Sequence, residues 1–322
     1  MIVTSIQDLK SQALFFEIKN LISGPKLFLK LEGLNAAGSI KFKAAKFLLD
    51  GLEQSKQIER GKSIIIESSS GNLAIALSLI CKERGYEFVC VVDPNILPEK
   101  ENILRLYGAK LIKVTKKDAS GGYLETRINT IKDLMEKDSR YVWTNQYQNK
   151  NNIKAHYFET AQEIFDEFKA VDYLFVGAGT TGTLMGCAQY CKEHSPHTKV
   201  IAVDVIGSVT FGGAPGPRYI PGIGASRRPE LVDPSQVSEV VFVNEVDTIK
   251  MCRHLLKTYG LFVGGSTGSV VHAVQAYVNS NKIKPAATIV TISPDFGHPY
   301  AETIFNDEWV NSKFEMGEES GL

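Results

Sequence analysis

Continuous runs of β-branched and aliphatic residues alternate with stretches of helical period along almost the whole chain. The runs predict strands over 26–31 (KLFLKL), 63–68 (SIIIES), 87–93 (EFVCVVD), 110–115 (KLIKVT) and 140–146 (RYVWTNQ). Further runs at 172–178 (DYLFVGA), 199–205 (KVIAVDV), 239–245 (EVVFVNE) and 288–293 (TIVTIS) extend the series. Between them, 72–84, 98–107, 121–136, 153–168, 182–194 and 247–258 have the spacing of amphipathic helices. Strands that are apolar at successive positions, not alternate ones, are buried on both faces. The β–α order therefore predicts parallel sheets covered by helices on both sides. Nine strands exceed one small layer, so the pattern predicts two doubly wound α/β domains with mostly parallel sheets. One segment breaks the pattern: 207–230 (GSVTFGGAPGPRYIPGIGASRRPE) is irregular and rich in glycine and proline. Irregular segments of that length in compact domains are usually functional. The tail GEESGL (317–322) reads as disordered.

Composition narrows the function. A chain of 322 residues suits two domains of about 150 residues each. Its 36 basic and 36 acidic side chains cancel, which excludes an acidic disordered chain. The balance also argues against a surface built to coat nucleic acid or anionic membrane. No stretch approaches the ~20 apolar residues of a membrane span, and the start MIVTSIQDLKSQALFFEIKN lacks a basic-then-apolar signal. Five cysteines (Cys81, Cys90, Cys187, Cys191, Cys252) lie in apolar segments with no CxxC pair. An odd number so placed suits a reduced, cytoplasmic chain. Cys187 and Cys191 share a helix face but have no histidine partners nearby, so no metal site is expected. The partners expected are small molecules.

One match suggests a dinucleotide. Gly177-Ala178-Gly179-Thr180-Thr181-Gly182 is a formal GxGxxG between strand and helix, and Asp204 ends the next strand as a ribose acid would. The composition of the loop favours another ligand. Gly179, Thr180, Thr181, Gly182 and Thr183 gather hydroxyls and backbone N–H groups at a helix start, which suits a terminal phosphate monoester. A second turn, Ser68-Ser69-Ser70-Gly71-Asn72, opens another helix after an independent strand. Either turn alone is an ordinary glycine–serine helix start; a dehydrogenase has no evident use for both. A third feature is Gly38-Ser39-Ile40-Lys41, which places a lysine at the start of a long helix. A lysine, a phosphate cup and a nearby amide are the requirements of a pyridoxal 5'-phosphate site.

With these landmarks and Gly264-Gly265-Ser266-Thr267-Gly268, in this order, the chain resembles the β-family (fold type II) pyridoxal phosphate enzymes over nearly its full length. Cysteine synthases and cystathionine β-synthases belong to that group. The resemblance implies the following roles. Lys41 carries the cofactor covalently and later acts as base. Asn72 hydrogen-bonds the ring 3-oxygen, Gly179 to Thr183 hold the phosphate, and Ser266 meets the pyridine nitrogen. Ser69, Ser70, Gly71 and Gln146 receive the α-carboxylate of the amino-acid substrate. The implied domains are 1–12 with 36–147, smaller and substrate-binding, and 13–35 with 148–322, larger and cofactor-binding. The implied reaction is β-replacement on a substituted alanine, because a neutral serine at the ring nitrogen favours prompt loss of a β-substituent.

Within the group, CVVDPNILP (90–98), DASGGYLETRI (118–128), NQY (145–147), AHY (155–157), AVDVIGSV (202–209) and PGIGASRRPE (221–230) are most similar to N-(2-amino-2-carboxyethyl)-L-glutamate synthases of 2,3-diaminopropionate biosynthesis. These serve siderophore and peptide-antibiotic pathways and join O-phosphoserine to glutamate. Such polyanionic substrates call for cations, and Arg127, Arg218, Arg227 and Arg228 are candidates, with Arg127 and Arg218 favoured. Tyr147 is a candidate gate for the second substrate. The resemblance also implies a homodimer. Two positions depart from the relatives: Lys41-Phe42-Lys43 stands where many have Lys-Asp-Arg, and Gly179 stands where some have serine. A cysteine synthase is the alternative in the same class, and an NAD-dependent oxidoreductase the alternative outside it.

Overall fold

A computed structural model describes residues 2–9, 13–118, 121–281 and 283–314. Ala119 and Ser120 of the 118–128 segment, and the tail 317–322 expected to be disordered, lie outside the described residues. The chain divides into two compact units, Met1–Lys10 with Asn35–Asn152 and Ser11–Leu34 with Ile153–Leu322. Strands β1 (Phe15–Glu17) and β2 (Lys26–Leu31) come first in the chain and belong to the second of these.

The first unit runs α1 (Lys41–Gln54), β3 (Ile64–Ser68), α2 (Asn72–Arg84), β4 (Glu87–Val92), α3 (Pro98–Leu106), β5 (Lys110–Lys113), α4 (Leu124–Lys137) and β6 (Tyr141–Trp143). Its sheet is wholly parallel, in the order β5-β4-β3-β6. Strand β3 lies inside the sheet, and its side chains explain the absence of polar alternation. Ile65 packs among Leu48 and Leu49 of α1 and Leu73, Leu77 and Ile80 of α2. Ile64 and Ile66 face the other way, with Val89, Val91 and Ile131 of α4. Both faces exclude water, and each fully buried aliphatic side chain contributes about 1.5–3 kcal/mol. Helix α2 ends at Gly85, whose left-handed conformation lets its N–H cap the final turn.

In the second unit a helical stretch contains α5 (Asn151–Ala155), a π turn (His156–Ala161) and α6 (Gln162–Glu167). Then follow β7 (Tyr173–Gly177), α7 (Gly182–His194), β8 (Lys199–Val205), β9 (Glu239–Val243), α8 (Glu245–Tyr259), α9 (Gly265–Ser280), β10 (Thr288–Ser293) and α10 (Asp307–Lys313). The sheet order is β1-β2-β10-β7-β8-β9, parallel apart from the edge strand β1. The core sets Phe175, Ile201, Val203 and Ile289 of the sheet against Val270, Val271 and Val274 of α9. No helix among the described residues is long and apolar enough to cross a membrane.

Three features depart from the sequence expectation. Strand β1 spans three residues, too few for a pattern. Helix α9 is buried around its circumference and begins Gly-Ser-Thr-Gly, so it has neither an amphipathic stripe nor strong helix formers. The single helix expected over 153–168 is interrupted by the π turn, which packs against α7 at Gly186. A Cβ on Gly186 would stand 2.6 Å from Ile153 O, 2.7 Å from His156 Cβ and 2.8 Å from Tyr157 N. Two of these atoms are backbone and cannot turn aside. We expect Gly186→Ala to force α7 away from the π turn and to lower stability by about 1–3 kcal/mol. A thermal melt measures this, and an unchanged Tm would contradict the close approach.

Candidate active site

In the first unit two helix starts hold the predicted residues. Before α1, Asn35 makes a side-chain turn: its Oδ1 accepts from Ala37 N at 3.0 Å and its Nδ2 donates to Ser39 O at 2.9 Å. Gly38, at φ 68°, completes the bend. These contacts place half-buried Lys41 on the first turn of α1. Ser39 is buried, and its hydroxyl has no hydrogen-bond partner.

The second start is the Ser68–Asn72 turn. Ser69 Oγ accepts from Gly71 N at 3.3 Å, and the Cys90 thiol donates to Ser69 O at 2.9 Å. Burial pushes the Cys90 thiol up to about 12, so it remains a neutral donor. Gly71 caps α2 and Asn72 is its first residue. Behind the turn stands Glu67, 0% exposed. Its Oε1 accepts from Ser68 N at 2.7 Å and Trp143 Nε1 at 3.0 Å. Its Oε2 accepts from the Thr144 hydroxyl at 2.6 Å and Gln146 N at 3.2 Å. Burial raises the Glu67 carboxyl above its ordinary value, although the four donors pull the other way. The stability this group contributes is therefore fullest below its unfolded pKa and is lost as pH rises through the folded one. Gln146 is itself buried, and its carbonyl accepts from Asn152 Nδ2 at 2.8 Å. Tyr147 is half-buried beside it. Ser69, Ser70, Gly71, Asn72 and Gln146 are thus arranged around one carboxylate, which sequence reasoning did not single out.

The second unit carries the glycine–threonine loop. Thr181 caps α7 with φ 66°, a left-handed conformation that is a real outlier for a β-branched residue. Its side chain is buried and its hydroxyl has no partner. Thr183 contacts His156 Nε2 at 3.2 Å, and His156 Nδ1 lies 3.0 Å from the Thr160 hydroxyl. His156 is fully buried. The sequence placed it only at a helix start, because the π turn that aims it has no sequence signature.

The 207–230 segment lies across two helix starts. A Cβ on Gly179 would meet Gly222 O at 2.7 Å, and one on Gly222 would collide with Ser266 Oγ. Gly222 also has φ 112°, where side chains are disfavoured. Gly224 N donates to Ala178 O at 2.7 Å, tying the segment to the loop. Ser266, on the first turn of α9, lines a narrow hollow with Val205, Ile220, Ile223, Glu245 and Ser269.

The arginines differ in setting. Arg127 on α4 is mostly buried, with Nη1 3.3 Å from Asp93 Oδ2. Arg218 Nη2 donates to Ser226 Oγ at 2.7 Å, within its own segment, and its charge draws the carboxyls of Asp204 and Glu245 down against the larger effect of burial. Glu245 accepts from Tyr219 N at 2.9 Å and Ile220 N at 2.6 Å. Arg218 therefore braces the segment. Arg227 and Arg228 are exposed. Asp204 is fully buried and accepts from Val205 N at 2.9 Å, so it does not present a carboxylate to a ribose.

These residues fit a phosphorylated pyridine. The N-terminus of α7 supplies N–H groups and the positive end of a helix dipole. Thr181 supplies a buried hydroxyl lacking an acceptor or donor, and glycine at 179 leaves backbone space. Ser266 is neutral, as suits an unprotonated ring nitrogen, and Lys41 is an amine on a fixed helix start.

Comparison with known proteins agrees. Residues 11–295 match the family described as pyridoxal-phosphate dependent enzyme. The chain is 42% identical over 313 residues to N-(2-amino-2-carboxyethyl)-L-glutamate synthase of Ralstonia nicotianae, covering 96% of this chain and 92% of that protein. Among solved structures, O-ureido-L-serine synthase superposes with a TM-score of 0.86 at 25% identity, covering 99% of each chain. O-acetylserine dependent cystathionine beta-synthase from Helicobacter pylori gives a TM-score of 0.85 at 29% identity, covering 94% of this chain and 98% of that one. The parallel sheets, the helix starts that end their strands and the family match lead to one conclusion: this chain is a member of the pyridoxal-phosphate dependent enzymes, with the fold type II architecture.

Proposed function

We propose that this enzyme joins O-phospho-L-serine and L-glutamate, releasing phosphate and forming N-(2-amino-2-carboxyethyl)-L-glutamate for 2,3-diaminopropionate biosynthesis. The observation that carries the reading is the 42% identity to a synthase of that name over 96% of the chain. The similarity to cystathionine beta-synthase is lower, at 29% identity, and favours a sulfur nucleophile less. Bound pyridoxal phosphate supplies the electron-withdrawing ring that lets a proton leave Cα and a substituent leave Cβ. The chain's own residues supply everything else.

Lys41 holds the cofactor and, once released, moves the proton at Cα; the start of α1 fixes its backbone for that task. Asn72 donates to the ring 3-oxygen. Gly179, Thr180, Thr181, Gly182 and Thr183 hold the phosphate ester, with His156 supporting the Thr183 hydroxyl. Ser266 faces the ring nitrogen without protonating it. In the first unit, Ser69, Ser70 and the Gly71 N–H receive the substrate α-carboxylate together with Gln146. Arg127 balances the anionic substrates, and Tyr147 gates the second one. Arg218 acts through the segment it braces. In this reading the first unit binds the substrate carboxylate, the second binds the cofactor phosphate, and siderophore or peptide-antibiotic synthesis uses the product. The enzyme is then a cytoplasmic homodimer, and its five free, buried thiols suit a reducing compartment.

Offered O-phosphoserine with both glutamate and sulfide, the purified enzyme should yield the glutamate adduct, identified by mass. Cysteine without any such adduct overturns the reading. Borohydride reduction of the resting enzyme should fix the cofactor to the peptide containing Lys41. Lys41→Ala should lose about 10²–10⁴-fold in turnover and trap none; cofactor fixed to another residue in that variant contradicts the assignment.

A further inference from the structure

Asn72 has a neighbour that the sequence did not suggest. Lys100 Nζ lies 3.4 Å from Asn72 Oδ1, although the two residues stand on different helices, α3 and α2. Lys100 is only 5% exposed. Lysine is almost never buried so completely unless its charge is met. Its place on α3 adds a second disadvantage. Lys100 belongs to the first turn, two residues after Pro98, where the helix dipole repels a cation. Glu101 shares that turn, but its carboxylate is engaged by Arg105 at 2.9 Å and Lys113 at 2.7 Å. A packing role alone is served by methionine or leucine without either disadvantage.

We infer that Lys100 is a positioning residue for Asn72. An ammonium donates and cannot accept, so it fixes which end of the carboxamide faces it. With Oδ1 held toward Lys100, Nδ2 is turned away and presented as a donor. The inference rests on the reading above, in which Asn72 donates to the ring 3-oxygen. That oxygen is anionic in the visible-absorbing form of the bound cofactor. The positive charge behind the amide polarises its N–H toward the anion, as an outer partner tunes a ligand in contact. Without Lys100 the amide is free to turn and set its oxygen against the ring oxygen.

The test compares Lys100→Met, Asn72→Ala and the double variant with the parent. Three quantities are read: pyridoxal phosphate affinity, the ratio of visible to near-ultraviolet absorbance of the bound cofactor, and Tm. Lys100→Met should weaken cofactor binding about tenfold and lower the absorbance ratio, and Asn72→Ala should do at least as much. The double variant should match Asn72→Ala, because Lys100 acts through that side chain. Lys100→Arg, which keeps a buried donor, should retain the parent ratio, so a folding failure of the methionine variant leaves a second readout. If Asn72→Ala changes the ratio and Lys100→Met does not, the Lys100 assignment is overturned and that of Asn72 stands. Additive losses in the double variant also overturn it. If Asn72→Ala leaves both affinity and ratio unchanged, the ring-oxygen reading itself is wrong.

Discussion

Glu67 is a carboxylate with four donors and no exposure to water. Burying such a group is costly unless its lone pairs are used, and breaking one of its bonds leaves a buried donor unsatisfied as well. The arrangement therefore tolerates little movement. It fixes Ser68 at the end of β3 to Trp143, Thr144 and Gln146 at and after the end of β6. Two segments far apart in sequence become one rigid surface, on which Ser69, Ser70, Gly71 and Gln146 have set positions. The Cys90 thiol, held neutral by burial, adds a fifth tie from β4 to Ser69. Of the Glu67 donors, only the Thr144 hydroxyl can reverse its role, so it is the natural partner when the carboxyl takes a proton.

The second unit achieves rigidity by another means, close backbone approach. Gly179, Gly222 and Ser266 stand in line with no room for a Cβ at the first two. Buried Glu245 clasps the backbone at Tyr219 and Ile220, while Arg218 reaches Ser226. A segment with neither helix nor strand is thereby fastened over the starts of α7 and α9. The strained Thr181 is part of the same construction: a β-branched residue in a left-handed conformation persists only where its surroundings over-determine it.

Much of this was legible in the sequence, and the boundary of legibility has physical reasons. Ile64, Ile65 and Ile66 announced a strand buried on both faces because each must find an apolar neighbour. The Ser68–Asn72 and Gly179–Thr183 turns were visible because helix starts need small, hydroxylated residues. Asp204 was the misleading signal: a strand-terminal acid after a glycine-rich turn looks the same whether it meets a ribose or is buried under its own loop. Glu67, Glu245 and Lys100 were invisible as site residues, because a charged residue at a strand end or helix start is ordinarily solvated. Only tertiary packing buries them, and no local pattern records it. The π turn that aims His156 at Thr183 likewise depends on contact with Gly186 and not on local propensity.

The central claim is that Glu67 sets the surface receiving the substrate carboxylate. Glu67→Gln tests it, since an amide NH₂ must then face either the Ser68 and Trp143 donors or those of Thr144 and Gln146. Titrating that variant with O-phosphoserine, followed by the change in cofactor absorbance, gives substrate affinity; titration with pyridoxal phosphate gives cofactor affinity. The account predicts at least about a tenfold loss for O-phosphoserine, with pyridoxal phosphate affinity within about threefold of the parent. Parental affinity for O-phosphoserine in a folded Glu67→Gln enzyme would contradict it.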